Sequence, residues 1–324
     1  MKKILVSYQI PKQGLSKLFE KYNVYYPKKS FLTKDELINM LPQYNGLLSI
    51  FTKKVDGEII NAGEKLEIIS NYGVGFDNID VQSALSKNIV VCNTPKSVAK
   101  PTAELCFGLI VDLLRNIARY HFELHTNPNF KWDVMQNLGI TLCGKILGIL
   151  GMGSIGREVA KRALAFDMKI IYHNRNRLPL KIEKTLNAKY VSFNELIKNS
   201  DILSVNTPLN SETYHIINKN VFSTMKNSAF FINTARGSVV DEEALVYALK
   251  QKQIKGAGID VFENEPNIHP ELLNMNNVVL TPHVGSATAE DRVLMSYEAA
   301  DNFISFWDKS NPINVVNPIV LTNK

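Results

Sequence analysis

The sequence predicts an α/β protein made of two doubly wound parallel sheets, the second inserted into the first. Three observations carry this prediction. Short β-branched runs alternate with helical segments from the first residues onward; a second and complete series of such runs begins at KILGIL; and the last helical segment has no strand after it that could extend the second series.

In the first series KILVSY, GLLSIF, LEIISNY and NIVVCNT read as strands, separated by segments such as TKDELINML, where Thr33 and Glu36 stand at capping-box spacing. Pro101 then occupies a first-turn position. The stretch TAELCFGLIVDLLRNIARYHFEL after it reads as one helix of unusual length, apolar over much of its circumference. Such a helix must be buried, here against a second subunit. KILGIL (145–150), MKIIYH, AKYVS, DILSVN, AFFINT, GAGIDVF and NVVLTP supply seven strands, enough for a complete doubly wound sheet. The final helix, from about Ala287 to Trp307, returns to the first domain. The predicted domains are therefore 1–99 with 287–324, and 100–286.

With 324 residues, 45% hydrophobic and 21% charged, the chain can bury two medium cores, which excludes disordered and collagen-like classes. The apolar run of MKKILVSYQIPKQ ends too soon for a secretory signal, and the stretch Leu105–Leu114 is too short to span a bilayer and is interrupted by Asp112. Cys92, Cys106 and Cys143 are odd in number and form no CxxC pair, which suits a reducing, cytoplasmic setting and argues against a metal site. The net charge of +6 is spread along the chain without aromatic clustering, so it predicts a basic surface that attracts anionic ligands and not a nucleic-acid partner.

GMGSIG follows the apolar strand KILGIL and opens the helix REVAKRALAF, with a second strand ending near Asn174. In that context the glycines acquire separate tasks. Gly151 allows the tight turn, Gly153 lets the backbone approach a pyrophosphate, and Gly156 lets the helix pack close to the strand. Asn174 lies about 20 residues beyond Gly151, where a carboxylate for a ribose hydroxyl is expected. Asparagine there removes the repulsion of a 2′-phosphate, and Arg175 and Arg177 offer forked donors to it. At ~1.5–3 kcal/mol for one charge-assisted bond, NADPH is expected to be preferred over NADH by on the order of ten- to a hundredfold. NADP(H) is thus the predicted cofactor, with NAD(H) the alternative.

Three further residues lie just past strand carboxyl ends: Arg236 in NTARGSVVDEEAL, Glu265 in IDVFENEP and His283 in TPHVGSAT. A hydride delivered to a ketone leaves a developing alkoxide, which calls for a proton donor titrating near neutrality and a fixed cation. Histidine fits the first need and arginine the second. A glutamate beside the histidine would favour its protonated form and hold one ring nitrogen.

GMGSIG, NTARG, DVFENEP and TPHVGSAT, in this order and at these separations, resemble the D-isomer-specific 2-hydroxyacid dehydrogenase family, which includes glyoxylate and hydroxypyruvate reductases; SNYGVGFDNID and NTPKSVAKPTAEL extend the resemblance over essentially the whole chain. It implies a Rossmann cofactor domain inserted into a discontinuous, flavodoxin-like substrate domain, and a homodimer formed through the cofactor domain. It also implies that Arg236 holds the 2-oxo acid, that His283 is the general acid and base with Glu265 as its partner, and that the N–H groups of Val74 and Gly75 receive the substrate carboxylate. Thr102, Thr207, Pro208, Ala235 and Asp260 match positions that line the dinucleotide. Ser154 and Ile155 in the glycine loop, with Thr213, Thr234, Arg236, His283 and Gly285, are assigned to the same lining. The missing acid at position 174 resembles the NADPH-using members. The implied reaction is reduction of a small 2-oxo acid such as glyoxylate or hydroxypyruvate to the D-2-hydroxy acid. The open alternatives are 2-ketogluconate, phosphohydroxypyruvate or pyruvate as substrate, and a cofactor-sensing, corepressor-like binding protein.

Two other features receive structural readings. His121 and His125 are four apart, but Phe122 stands where a zinc protease needs glutamate, so a packing role is expected. Trp132 in NPNFKWDVMQN is read as a loop anchor that reaches a partner subunit.

Overall fold

In the computed structural model, which describes residues 1–322, β1 (Lys3–Val6), β2 (Asn23–Tyr25), β3 (Gly46–Ile50), β4 (Ile68–Tyr72) and β5 (Val90–Cys92) run parallel in the order β2-β1-β3-β4-β5. β3 and β4 are buried along their whole length, as continuous apolar runs covered on both faces must be. β2 is not among the strands predicted above. Three partly exposed residues at a sheet edge carry no periodic signal, and their pairing with Lys3, Ile4 and Leu5 makes the strand. The helix Lys34–Met40 begins as its sequence requires: the Thr33 hydroxyl accepts from the Glu36 N–H and the Glu36 carboxylate accepts from the Thr33 N–H.

The second sheet contains β6 (Ile146–Leu150), β7 (Lys169–His173), β8 (Ala188–Tyr190), β9 (Ile202–Val205), β10 (Phe230–Asn233), β11 (Gly256–Ile259) and β12 (Val278–Leu280). All seven are parallel, in the order β12-β11-β10-β9-β6-β7-β8. The order reverses between β6 and β9, so the loops after these two strands flank the switch point where ligands of such sheets bind. One compact unit comprises Met1–Val98 with the chain from Ser286 onward, and the other comprises Ala99–Gly285.

The last long helix, Ala289–Trp307, belongs to the five-stranded unit and buries Met295, Ala299, Ala300, Phe303 and Ile304 against it. Each such side chain contributes about 1.5–3 kcal/mol when it leaves water, except the alanines. Polar groups fix the docking. The buried Asn302 amide donates to Ser70 Oγ and to the Asn93 carbonyl (both 3.0 Å) and accepts from Asn314 Nδ2 (3.0 Å), while Ser70 Oγ donates to the Ala299 carbonyl (3.0 Å).

The single long helix expected after Pro101 is two. The first spans Ala99–Arg115 and is buried along one side; the second spans Ile117–Thr126 and has no buried residue. Asn116 separates them in the left-handed region (φ 55°), which asparagine tolerates better than other side chains, and Asp112 accepts from the Ala118 N–H (2.7 Å) to start the second helix. Apolar composition alone does not reveal such a break. The packing expected of His121 and His125 is limited to each other, with ring centroids 4.3 Å apart on the exposed helix. Trp132 is 74% exposed, so its ring is not packed as an anchor among the described residues. Among the described residues no helix is long and apolar enough to cross a membrane.

Replacing Asn302 by alanine leaves buried acceptors and a donor unmatched. The substitution should lower the unfolding free energy of this unit by about 2 kcal/mol in urea titrations. A loss within about 0.5 kcal/mol would show that the apolar face alone docks the helix.

Candidate active site

β6 ends at Leu150, Gly151 follows it, and the helix Ser154–Ala165 starts three residues after that glycine. Gly151 has φ 94°, and a Cβ there would lie 2.7–2.8 Å from the backbone of Asn206 and Thr207, so no other residue fits. At Gly156 a Cβ would sit 2.3 Å from the Gly151 carbonyl oxygen; this glycine brings the helix down on the strand. Gly153 is different. A Cβ on it would meet no atom within 4 Å, so packing does not explain the residue, whereas a ligand approaching the loop backbone does. Ser154 and Ile155 open the helix, where first-turn N–H groups and the helix dipole favour phosphate. Across the switch point, Asn206 Oδ1 and Thr207 Oγ1 are buried with no hydrogen-bond partner among the described residues, which marks a place where a ligand completes the bonding. The residues present therefore fit a dinucleotide. Pro208 follows, and its carbonyl accepts from the Thr213 hydroxyl (2.7 Å), so Thr213 pins this loop from within.

At the end of β7 the structure separates three residues that the sequence groups together. Asn174 Oδ1 accepts from the Met152 N–H (2.6 Å) and closes the glycine loop onto the strand. Arg175 is exposed over 79% of its side chain and makes a long contact to Glu212 (3.4 Å). Arg177 is committed elsewhere: its Nε and Nη2 donate to the two oxygens of the buried Glu183 (2.8 Å each), which also accepts from Tyr172 Oη (2.7 Å). These bonds hold the Glu183 carboxyl down at about 2, Arg177 first and Tyr172 second. The expectation of two arginines for one phosphate is corrected accordingly. Arg177 braces its own loop, whereas Arg175 stays mostly exposed.

Beyond β10, β11 and β12 stand Arg236, Glu265 and His283. Buried Asn233 shapes the first turn, its amide donating to the Arg236 carbonyl (2.9 Å) while its oxygen accepts from the Ala235 N–H (3.0 Å). Thr234 between them is buried, and Arg236 Nη1 donates to the Ala235 carbonyl (2.7 Å). Glu265 Oε1 accepts from the Phe262 N–H (3.0 Å) and Oε2 from His283 Nδ1 (2.8 Å). Burial pushes the Glu265 carboxyl up, but the hydrogen bond and charge of His283, with smaller help from Phe262 and Arg236, leave it below the usual range. His283 has φ 51°, a conformation fixed by its N–H donating to the Asp260 carbonyl (2.8 Å). Asp260 itself is 1% exposed, and its carboxylate accepts from Thr281 Oγ1 (2.6 Å), the Val284 N–H (2.9 Å) and the Gly285 N–H (2.9 Å). Thr102 lies against Gly285, where a Cβ would be 3.2 Å from its methyl.

In the five-stranded unit, the segment after β4 has its carbonyls drawn inward. The Val74 carbonyl accepts from Asn93 Nδ2 (2.7 Å) and the Gly75 carbonyl from Asn71 Nδ2 (2.8 Å), while no acceptor among the described residues meets the N–H groups of Val74 and Gly75. Asn71 and Asn93, like Asn233, were not singled out in the sequence. Their signal is an asparagine at or just past the end of a buried strand, repeated as Asn93-Thr94, Asn206-Thr207 and Asn233-Thr234.

Residues 107–285 match the family model for the NAD binding domain of D-isomer specific 2-hydroxyacid dehydrogenases. The chain belongs to this family. A Staphylococcus aureus protein provisionally named a 2-hydroxyacid dehydrogenase is 42% identical over 98% of this chain and 100% of its own length. A glyoxylate reductase from Paecilomyes thermophila superposes with a TM-score of 0.89 at 34% identity, covering 97% of this chain and 98% of that one. An NADPH-dependent glyoxylate/hydroxypyruvate reductase from Sinorhizobium meliloti, in complex with NADP and malonate, superposes with a TM-score of 0.85 at 32% identity, covering 97% and 96%. This dehydrogenase is thus an oxidoreductase that uses a nicotinamide dinucleotide and acts on small 2-oxo and 2-hydroxy acids.

The division of labour at the end of β7 has a thermodynamic signature. Glu183 has a folded value near 2 against roughly 4.3 in an unfolded chain, so its pairing stabilises the dehydrogenase fully above about pH 5 and is lost as pH falls toward 2. Arg177→Gln should lower Tm at pH 7 and flatten the fall of Tm between pH 5 and 3. An unchanged Tm profile would return Arg177 to ligand duty.

Proposed function

We propose that this dehydrogenase reduces glyoxylate or hydroxypyruvate with NADPH to the D-2-hydroxy acid. The observation that carries the cofactor preference is the end of β7: no carboxylate stands there, Asn174 turns its oxygen to the Met152 N–H, and Arg175 projects into solvent. The substrate class is supported by the two reductases of similar structure described above.

When bound, the reduced nicotinamide supplies the hydride. The protein's own task is to manage the charge that then develops on the substrate oxygen. His283 gives its Nδ1–H to Glu265, so the proton for the substrate leaves from Nε2. Glu265, held below the usual carboxylate range by the hydrogen bond and charge of His283, is the acceptor that fixes the imidazole for this transfer. Arg236, fixed by Asn233 and Ala235, supplies the cation for the oxo acid. The N–H groups of Val74 and Gly75 receive the substrate carboxylate, because their carbonyls are held inward by Asn93 and Asn71.

We assign the dimer contact to the exposed apolar segment that contains Ile117, Phe122, Leu124, Trp132, Val134, Met135 and Leu138. So much apolar surface in one stretch of chain marks an interaction face. Three unpaired thiols, with Cys92 pushed up to about 12 and Cys106 to about 11 by burial, suit the reducing cytoplasm.

Kinetics with both cofactors test the central reading. NADPH should exceed NADH in kcat/KM by on the order of tenfold or more, and Arg175→Ala should remove most of the difference while Arg177→Ala removes little. Equal efficiency in the unchanged enzyme would refute the preference. At the proton donor, Glu265→Gln should lower kcat, since the neutral amide no longer holds His283 Nδ1 as the carboxylate does. Phe122→Asp with Trp132→Asp should halve the mass seen by light scattering; an unchanged mass would place the interface elsewhere.

A further inference from the structure

Three catalytic-edge loops are tied together by residues to which no role has been given. His215 closes the loop after β9, the same loop that carries Thr207 and Pro208. Its N–H donates to the Ser238 carbonyl (3.0 Å) in the turn that carries Arg236. Its Nε2 donates to Glu263 Oε1 (2.5 Å) in the loop that carries Glu265. Glu263 is in turn exchanged with buried Glu242: the Glu263 N–H donates to Glu242 Oε2 (3.1 Å) and the Glu242 N–H to Glu263 Oε2 (3.4 Å). Gly237 lets the two loops meet backbone to backbone, since a Cβ on it would fall 1.9 Å from the Phe262 carbonyl.

We infer that His215 and Glu263 are positioning residues, a brace that sets Arg236 and, through the Phe262 peptide and Glu265, the imidazole of His283. The inference rests on the reading of Arg236, Glu265 and His283 given above. Its physical basis is the route of the contacts. Glu263 is the next residue after Phe262, whose N–H binds Glu265 Oε1, and Glu265 Oε2 binds His283. A shift of Phe262, the residue bonded to Glu263, therefore reaches the proton donor in two hydrogen bonds. Surface exposure argues against a merely solvated pair: the His215 and Glu263 side chains are 30% and 21% exposed, and the Tyr214 ring stacks on His215 at 4.0 Å. Burial pushes the Glu242 carboxyl upward, and the Glu263 N–H and the His269 charge partly counter this.

The test compares His215→Ala, Glu263→Ala, their double variant and His215→Gln with the unchanged full chain, at saturating NADPH. Misplacement of reacting groups by a fraction of an ångström should cost roughly tenfold in kcat for either alanine variant, with the NADPH Kd moving less than about twofold. The double variant should be no slower than the singles, because both remove one unit. His215→Gln, whose amide still donates to Glu263, should recover most of the loss. A kcat within about twofold of the unchanged enzyme, or fully additive losses, would overturn the brace. Imidazole 15N–1H spectra give a readout independent of turnover, in which His215→Ala should displace the His283 resonances. If the unchanged protein reduces no 2-oxo acid, the functional reading fails on its own account, and the His283 resonances decide the brace: displaced supports it, unmoved rejects it.

Discussion

The buried carboxylate of Asp260 is the interaction on which the catalytic edge depends. It stands one residue past β11 and accepts three donors from the segment 281–285, while its own carbonyl accepts from the His283 N–H. Burial pushes the carboxyl above its usual range, and the donors and the nearby His283 charge only partly counter this. An ionised group in that position is therefore costly in itself. It is retained because each alternative is worse: an apolar side chain would leave a hydroxyl and two backbone N–H groups buried without partners, at about 1–3 kcal/mol each. The left-handed backbone of His283 persists for the same reason, since the bonds on both sides over-determine it.

The same device recurs at other strand ends in a milder form. A parallel sheet delivers all its carboxyl ends to one edge, but it leaves the chain there without ladder partners. Asn93, Asn206 and Asn233 stand at that boundary. In two of the three cases the amide captures a carbonyl of a loop, that of Val74 for Asn93 and that of Arg236 for Asn233. Capturing a carbonyl turns the neighbouring N–H groups or side chain outward. Asparagine thus converts the end of a strand into a loop of fixed direction, which is what positioning a carboxylate or a ketone requires.

The fold class was legible because parallel strands covered on both faces tend to be short apolar or β-branched runs, and eleven of the twelve strands lie in runs that read as strands. β2 was not, since its existence depends on pairing with β1 and its three residues carry no pattern of their own. The break at Asn116 was hidden for a related reason: periodicity records which faces are apolar, and both helices on either side are apolar enough to read as one. Arg236, Glu265 and His283 could be singled out because the proposed chemistry calls for those residue types at strand ends. His215, Glu242 and Glu263 could not. Their importance lies in contacts between loops of adjacent strands, and nothing in the spacing of 215, 242 and 263 shows that they meet.

The end of β7 shows how far a local charge pattern can be trusted. By residue type, Arg175 and Arg177 are equal candidates for a 2′-phosphate. Glu183 distinguishes them, because it is buried and therefore needs a fixed counter-charge, and Arg177 reaches it with both arms of its fork. Once paired, Arg177 has little net charge left to offer an anion. Arg175 faces a carboxylate only at 3.4 Å, with both side chains mostly in solvent, where such a pair is worth little. A phosphate would compete with Glu212 on favourable terms, since it brings more charge and more acceptor oxygens to the same guanidinium. Under the proposed NADPH preference, specificity at this strand end would rest on one arginine and on the neutrality of Asn174, whose amide serves the glycine loop.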